Sequence, residues 1–186
     1  LLACKNYDFP SGFEIAAMLC VDKKNVKDFI NVPDVNGLTP LHVACALWRE
    51  DLVSLLIKAG ADVEALDSSG TTPCMAVLAA HNKLGYTSLA DLKAGGKSPF
   101  SDDATIAPFE TLVLLAEAGA NFDSINSQGQ NIWHKLFSFQ MRQMHTEKFL
   151  RLFEVIQPSV ECMNQLDICG ESVLFNVTRN CMGLVM

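Results

Sequence analysis

Seven cysteines are the side chains in this sequence of 186 residues that are best suited to redox or metal chemistry. Their number is odd and no two of them form a C-x-x-C pair, so their spacing favours neither a disulfide framework nor a zinc ribbon. A reduced compartment is the simplest interpretation. We therefore expect an intracellular, cytoplasmic protein, with the nucleus as an alternative. The cysteines are Cys4, Cys20, Cys45, Cys74, Cys162, Cys169 and Cys181.

The other residues with catalytic chemistry form no catalytic constellation. Neither G-x-S-x-G nor H-E-x-x-H occurs, and no cluster of metal ligands stands near His81 or His145. Residues 94–98 (A-G-G-K-S) are similar to the end of a phosphate-binding loop. However, Asp91 stands where that loop needs its first glycine, and Pro99 follows at once. We predict no enzyme activity, no catalytic residue, and no metal or cofactor.

Composition and charge restrict the class of partner. The chain has 14 Lys and Arg against 21 Asp and Glu, and the net charge of −7 disfavours a basic surface that binds nucleic acid. Hydrophobic residues make up 49% of the chain and charged residues 19%, which is typical of a folded domain rather than a disordered tail. No apolar run approaches the roughly 18 residues of a membrane span. We expect a protein or peptide partner.

A short pattern, Asp or Asn with Gly three residues later, marks the start of four similar units. It ends at Gly37, Gly70, Gly129 and Gly170, so the intervals are 33, 59 and 41 residues. Thirty-three residues is the period of a known helical solenoid, and the longer intervals are that unit with 26 and 8 extra residues. We predict a long insertion at about residues 81–108 and a short one near residues 139–145.

Each pattern is followed by the signals of two helices. A capping residue stands two places after each glycine, and Pro40 and Pro73 follow the first two of these caps. Apolar residues then recur at the i, i+3, i+4 spacing of a helix, and a second apolar helix follows. Gly60 and Gly119 stand where two of the second helices should stop. The capping residues are Thr39, Thr72, Asn131 and Ser172.

These units resemble the ankyrin repeat. Residues 37–44 (G-L-T-P-L-H-V-A) are close to its signature G-x-T-P-L-H-x-A, and residues 59–63 (A-G-A-D-V) are similar to its G-A-D-V segment. The resemblance implies an all-α ankyrin-repeat solenoid of helix-turn-helix units with β-hairpin or turn tips. It implies about four to five repeats, one of them with a long insertion between its helices. It also implies that His42 and His134 bond the capping residue and nearby backbone.

The repeat register divides the chain into five segments, of which the first and last are incomplete. We expect the array to continue or to be capped beyond residue 186, because a repeat cannot bury its apolar face alone. The segments are a degenerate N-terminal repeat or cap at residues 1–33, a repeat at 34–66, a repeat with the long insertion at 67–125, a repeat with the short insertion at 126–166, and the start of a further repeat at 167–186.

The resemblance implies a non-enzymatic protein–protein interaction module, such as a scaffold or adaptor. Its partner would bind the concave face formed by the tips and first helices, the edge from which the insertions emerge, or both. The tip residues carry a mixture of apolar and polar side chains, which suits a protein or peptide. We expect Leu38 and Gln130, which stand at tips, to bury little surface. The candidate partner-binding residues are Val35, Asn36, Leu38, Leu47, Ser69, Thr71, Gln128, Gln130, Ile168 and Glu171.

Two alternatives are compatible with the same sequence. The repeats could be a regulatory segment of a larger multidomain enzyme or channel, whose other domains lie outside this chain. They could also form a structural solenoid that packs intramolecularly or forms a homo-oligomer. The sequence leaves the oligomeric state open.

Overall fold

The structure is a computed structural model that describes residues 29–78, 107–138 and 146–182. Within those ranges the side chains are described for residues 29–78, 108–137 and 150–178. The predictions for most of the N-terminal segment 1–33, for nearly all of the insertion at 81–108 and for residues 139–145 lie outside the described residues. The glycine-rich loop at 94–98, His81 and His145 lie outside them as well.

The described residues contain eight α-helices. The tips between them are turns rather than β-hairpins, with one isolated antiparallel bridge between Leu166 and Ser172 in the described part of the chain. The helices are α1 (Pro40–Ala46), α2 (Glu50–Lys58), α3 (Pro73–Leu78), α4 (Ala107–Glu117), α5 (Ile132–Ser138), α6 (Thr146–Ile156), α7 (Val160–Asn164) and α8 (Val173–Met182).

The helices stack in two rows. The inner row is α1, α3, α5 and α8, each in contact with the next, and the outer row is α2, α4 and α6. Across the rows, α1 packs against α2 and α3 against α4. Because each unit contacts its neighbours along one axis, the described residues form a solenoid. This arrangement confirms the predicted all-α solenoid of helix pairs.

The core lies between the two rows. It is built from apolar side chains that the i, i+3, i+4 spacing brings to one side of each helix. Pro40 and Pro73 are themselves buried at the first turns of α1 and α3. The largest fully buried side chains of the inner row are Leu41, His42, Val43, Met75, Ile132, Trp133, His134 and Leu136, and those of the outer row are Leu52, Leu112, Leu115 and Leu152.

Side-chain caps begin most of the inner helices. Thr39 forms a capping box with His42 at the start of α1, in which each side chain bonds the other's backbone. Asn131 Oδ1 accepts from the backbone N–H of His134 at 3.1 Å, and Ser172 Oγ accepts from that of Phe175 at 3.3 Å. Thr72 differs, because its hydroxyl lies 3.0 Å from the Sγ atom of Cys74.

Trp48 makes the turn between α1 and α2 and ties it to the next repeat. Its backbone φ of 55° lies in the left-handed region. Helices commonly end at a residue in this conformation, which glycine adopts more easily. Its indole N–H donates to the carbonyl of Val77 in the last turn of α3 at 2.8 Å. Trp48 therefore holds the end of the helix from which the chain leaves toward residues 79–106.

The unpredicted helix α7 lies between the outer helix α6 and the fourth tip. Gly60 and Gly119 end the earlier outer helices seven residues before Asp67 and Asn126, whereas Gln157, with φ of 46°, stands ten residues before Asp167. Three of the eight extra residues in this unit are therefore found here, and placing all of them near residues 139–145 was wrong. Ser159 caps α7 by accepting from the backbone N–H of Cys162 at 3.0 Å.

Candidate protein-interaction surface

Four tips are built in the same way, at residues 34–38, 67–71, 126–130 and 167–171. In each tip the Oδ1 atom of the first residue accepts from the backbone N–H groups two and four residues later, at 2.7–3.0 Å. The fourth residue is glycine with φ between 68° and 78°. The N–H groups of Glu171 and Cys169 lower the pKa of Asp167 below its ordinary value, because they stabilise the carboxylate.

Backbone hydrogen bonds join each tip to the next. The second residue of a tip donates its N–H to the carbonyl of the third residue in the preceding tip. The bonds run from Ser68 to Asn36, from Ser127 to Ser69 and from Ile168 to Gln128, each at 3.0 Å. We call these bonds, with the bonds inside each tip, the tip ladder. The ladder fixes the tips in a row through backbone groups of their second and third residues.

Most of the predicted partner-binding residues lie on the surface of this row. Val35, Asn36, Gln128 and Ile168 are exposed. Ser69, Gln130 and Glu171 are half-buried, as is Leu47 at the end of α1. We call Val35, Asn36, Ser69, Gln128, Gln130, Ile168 and Glu171 the tip surface.

Leu38 and Thr71 are not on that surface, and the expectation that Leu38 buries little is wrong. Leu38 is 9% exposed and Thr71 is 3% exposed. Both are the fifth residue of a tip, whose carbonyl accepts from the first residue's N–H at 2.9 and 3.0 Å, and Leu38 packs into the apolar core. A charge at position 38 would be buried, so Leu38→Glu would test stability rather than binding.

His42 and His134 bridge the inner helix of one repeat and the tip of the next. His42 Nδ1 accepts from the N–H of Thr39 at 3.2 Å, which leaves Nε2 to donate to the carbonyl of Thr71 at 2.9 Å. In the third repeat, His134 Nδ1 lies 2.8 Å from Asn131 Oδ1 and Nε2 lies 3.2 Å from the carbonyl of Glu171. Both imidazoles are buried and hydrogen-bonded, as the predicted structural role requires.

Acidification is expected to weaken the fold through His42. Burial lowers the pKa of His42 below its ordinary value of 6.5. The unfolded chain therefore takes up a proton near pH 6.5 while the folded chain does so at lower pH, and stability present above pH 6.5 is lost as the pH falls toward the folded value. The slope for one site is at most about 1.4 kcal/mol per pH unit.

Urea unfolding at pH 7.5, 6.5 and 5.5 measures this loss. Wild type is expected to lose more stability over this range than His42→Gln, which has no titrating group at this position. The two proteins differ at this position alone, so the difference between their losses reports on His42. Equal losses in the two proteins would show that His42 does not couple protonation to folding.

A second set of inter-repeat bonds lies on the arms, the segments that lead into the tips (residues 31–33, 59–66, 118–125 and 157–166). The sequence reasoning missed these bonds. Asn31 Oδ1 accepts from the N–H of Asp62 at 2.8 Å, and Glu64 Oε1 accepts from the N–H of Asn121 at 2.6 Å. Asn31 and Glu64 each stand three residues before the first residue of a tip. Alignment of the repeats on their tips would have placed these two acceptors at the same position.

The cysteines whose side chains are described divide into buried and exposed thiols. Cys45, Cys74 and Cys162 are buried, and Cys169 is exposed at the fourth tip. Burial raises the pKa of the Cys45 thiol well above its ordinary value, that of Cys74 to about 11 and that of Cys162 to about 12. These three thiols stay protonated near neutral pH and are poor nucleophiles.

Two further searches cover the described residues. No group of three or more His, Cys, Asp or Glu side chains in them could hold a metal ion. No helix in the same ranges is both long and apolar enough to cross a membrane.

Comparison with known proteins agrees with the fold. Residues 36–68 match the family profile "Ankyrin repeat". Over 52 residues, 28% of this chain, the sequence is 40% identical to the tyrosine-protein kinase HTK16 of Hydra vulgaris. Over 74 residues, 39% of the chain, it is 39% identical to the ankyrin repeat protein OPG189 of Monkeypox virus. An ankyrin repeat-containing protein of Schizosaccharomyces pombe is 40% identical over 43 residues, 23% of the chain.

Residues 36–68 are therefore an ankyrin repeat, and the described residues form a solenoid of such helix pairs. Ankyrin repeats are generally protein-interaction modules, and the family is generally non-enzymatic. The matched segments span 7%, 12% and 21% of the lengths of the kinase, the viral protein and the yeast protein. The likeness is therefore one of repeats within longer proteins.

Proposed function

We propose that this chain is a non-enzymatic adaptor that binds a partner protein through the concave face of its ankyrin array, in the cytoplasm or the nucleus. The observation that carries this proposal is the tip ladder. Its bonds hold the backbones of four tips in a row, from which the exposed side chains of Val35, Asn36, Gln128 and Ile168 project. A row whose backbone is already fixed binds with little loss of conformational entropy.

The chemistry of the tip surface favours a protein over a nucleic acid. Val35 and Ile168 supply exposed hydrocarbon, while Asn36, Ser69 and Gln128 supply groups that donate and accept hydrogen bonds. Glu171 is the charged side chain of this surface, and it is acidic. Phosphate groups would be repelled, whereas a mixed apolar and polar surface matches the composition of protein interfaces.

Affinity capture with mass spectrometry on the full protein tests this proposal. The tip variant carries Gln128→Lys and Ile168→Lys, two exposed positions in neighbouring tips. The matched helix variant carries Leu150→Lys and Val155→Lys, two exposed positions on α6 that add the same charge. We expect a partner that is retained by wild type and the helix variant and is lost by the tip variant, with equal thermal unfolding midpoints for all three.

A third variant tests the insertion edge. It replaces residues 81–106, between α3 and α4, by a short turn. A partner lost with this variant alone would place the site at that edge rather than on the tips. A partner set that is unchanged in every folded variant would contradict the adaptor function and favour a structural solenoid.

The relative from Hydra supports a second candidate function. The matched segment makes up 7% of a protein named as a tyrosine kinase, so repeats similar to these occur in a much longer enzyme. On this basis the present repeats could be the regulatory segment of a multidomain enzyme. The length of the full reading frame, and any catalytic domain in it, would distinguish this function from that of a free-standing adaptor.

A further inference from the structure

Three aliphatic side chains occupy the same exposed position in consecutive repeats. Leu66, Ile125 and Leu166 each stand immediately before the first residue of a tip, and they are 60%, 52% and 53% exposed. We call these three residues the aliphatic row. The tip ladder and the two arm bonds use backbone groups and other side chains, so the aliphatic row has no part in them. Its hydrocarbon surface is therefore available to a partner.

The stacking of the repeats sets the distance between neighbouring members of the aliphatic row. A backbone hydrogen bond of 3.0 Å joins each tip to the next, so each member lies one stacked repeat from the next member. Stacked helices lie about 8–10 Å apart, and the repeats carry their aliphatic residues at about the same interval. A peptide in the polyproline II conformation rises about 3.1 Å per residue, so every third side chain is about 9 Å from the last. One peptide side chain per repeat would thus meet the row.

The charged residues of the arms and tips are all acidic. The arms and tips, at residues 31–38, 59–71, 118–130 and 157–171, contain no Lys or Arg. Arg49, Lys58, Lys135 and Arg151 lie in or next to helices instead. The acidic residues of the arms and tips are Asp34, Asp62, Glu64, Asp67, Asp123, Glu161, Asp167 and Glu171. Such a surface attracts cationic ligands and repels anionic ones.

We propose that the aliphatic row binds an extended segment of the partner protein in which aliphatic side chains about three residues apart alternate with Lys or Arg. The aliphatic side chains cover Leu66, Ile125 and Leu166, and the basic side chains lie among the acidic arms. This inference rests on the proposed function, because it names the chemistry of the partner that the adaptor binds. It adds the row on the arms to the tip surface as part of the binding site.

Selection from a display library of random twelve-residue peptides tests the chemistry of the ligand. The full protein is the bait, and Ile125→Lys, at the centre of the row, is the counter-selection bait. We expect the selected peptides to carry a net positive charge and aliphatic residues. We also expect them to bind more weakly at 200 mM salt than at 50 mM salt. Acidic or uncharged selected peptides, or none at all, would overturn the inference.

The affinity of one selected peptide, made synthetically, tests its position. We expect at least about a tenfold loss of affinity with Ile125→Lys, since the change removes a central apolar contact and adds a repulsive charge. Val155→Lys adds the same charge on α6 and is expected to leave the affinity within about twofold. Equal affinities for wild type and Ile125→Lys would overturn the inference, provided that both unfold at the same temperature.

The two proposals fail in different ways. If capture finds a tip-dependent partner but the selected peptides are acidic, or bind Ile125→Lys as tightly as wild type, the adaptor function stands and the proposed ligand chemistry is wrong. If no partner depends on the tips, the adaptor function itself is contradicted.

Discussion

Replacement of Trp133 by alanine is expected to lower the free energy of unfolding by about 3–5 kcal/mol, the usual cost of truncating a buried tryptophan. Trp133 is fully buried at the start of α5. Its ring centroid lies 6.5 Å from that of Phe137 and 5.5 Å from that of Phe153 on α6, the latter in an edge-on arrangement. The indole therefore joins the inner and outer rows of the third repeat, and its loss leaves a cavity between them. Urea unfolding followed by circular dichroism measures the change.

Trp133→Phe is the matched control. The indole N–H has no hydrogen-bond acceptor among the described residues, so phenylalanine removes a buried unpaired donor while it keeps an aromatic ring in the stack. We expect this variant to lose less than half as much stability as the alanine variant. Equal losses would mean that the ring stack contributes nothing and that the indole N–H is satisfied.

Replacement of Gly37 by alanine is expected to cost about 2–4 kcal/mol, the sum of a backbone penalty and a clash. Gly37 has φ of 78°, a conformation that disfavours any side chain. A Cβ atom there would also lie 2.6 Å from the backbone N of Ser68, the atom that donates to the carbonyl of Asn36 in the tip ladder. The second tip would have to move away from the first. Thermal and urea unfolding report the loss.

Gly60→Ala separates the two contributions. Gly60 has φ of 94°, and a Cβ atom there would meet nothing within 4 Å. We expect this variant to lose only the backbone penalty of about 1–2 kcal/mol. If Gly60→Ala were as destabilising as Gly37→Ala, close contact between the first two tips would not contribute to stability.

Local chemistry with a short range accounts for what the sequence predicted well. The Asp or Asn before each glycine needs only N–H groups two and four residues away, so the pattern predicts a tip where the signals of a helix follow it. Thr39 and Pro40 likewise act within one helical turn. Because 33 residues separate the first two patterns, stacking of equal units followed, and with it the solenoid.

Contacts between repeats account for most of what the sequence did not predict. Leu38 is buried because it packs into the apolar core, which an alternation of apolar and polar residues does not show. Glu64 accepts from Asn121, 57 residues away, so only alignment of the repeats on their tips would have marked it. The helix α7 follows from Ser159 and three additional residues, whose place within the interval of 41 residues the spacing alone does not determine.

The tip surface as the binding site is tested most directly by the affinity of the captured partner, measured by titration calorimetry against three proteins. These are wild type, the tip variant with Gln128→Lys and Ile168→Lys, and the helix variant with Leu150→Lys and Val155→Lys. We expect the tip variant to weaken binding by at least about 30-fold, as the loss of a central contact worth about 2 kcal/mol would. We expect the helix variant to bind within about twofold of wild type. A tip variant that binds as tightly as wild type, while the helix variant loses the partner, would contradict binding through the tips.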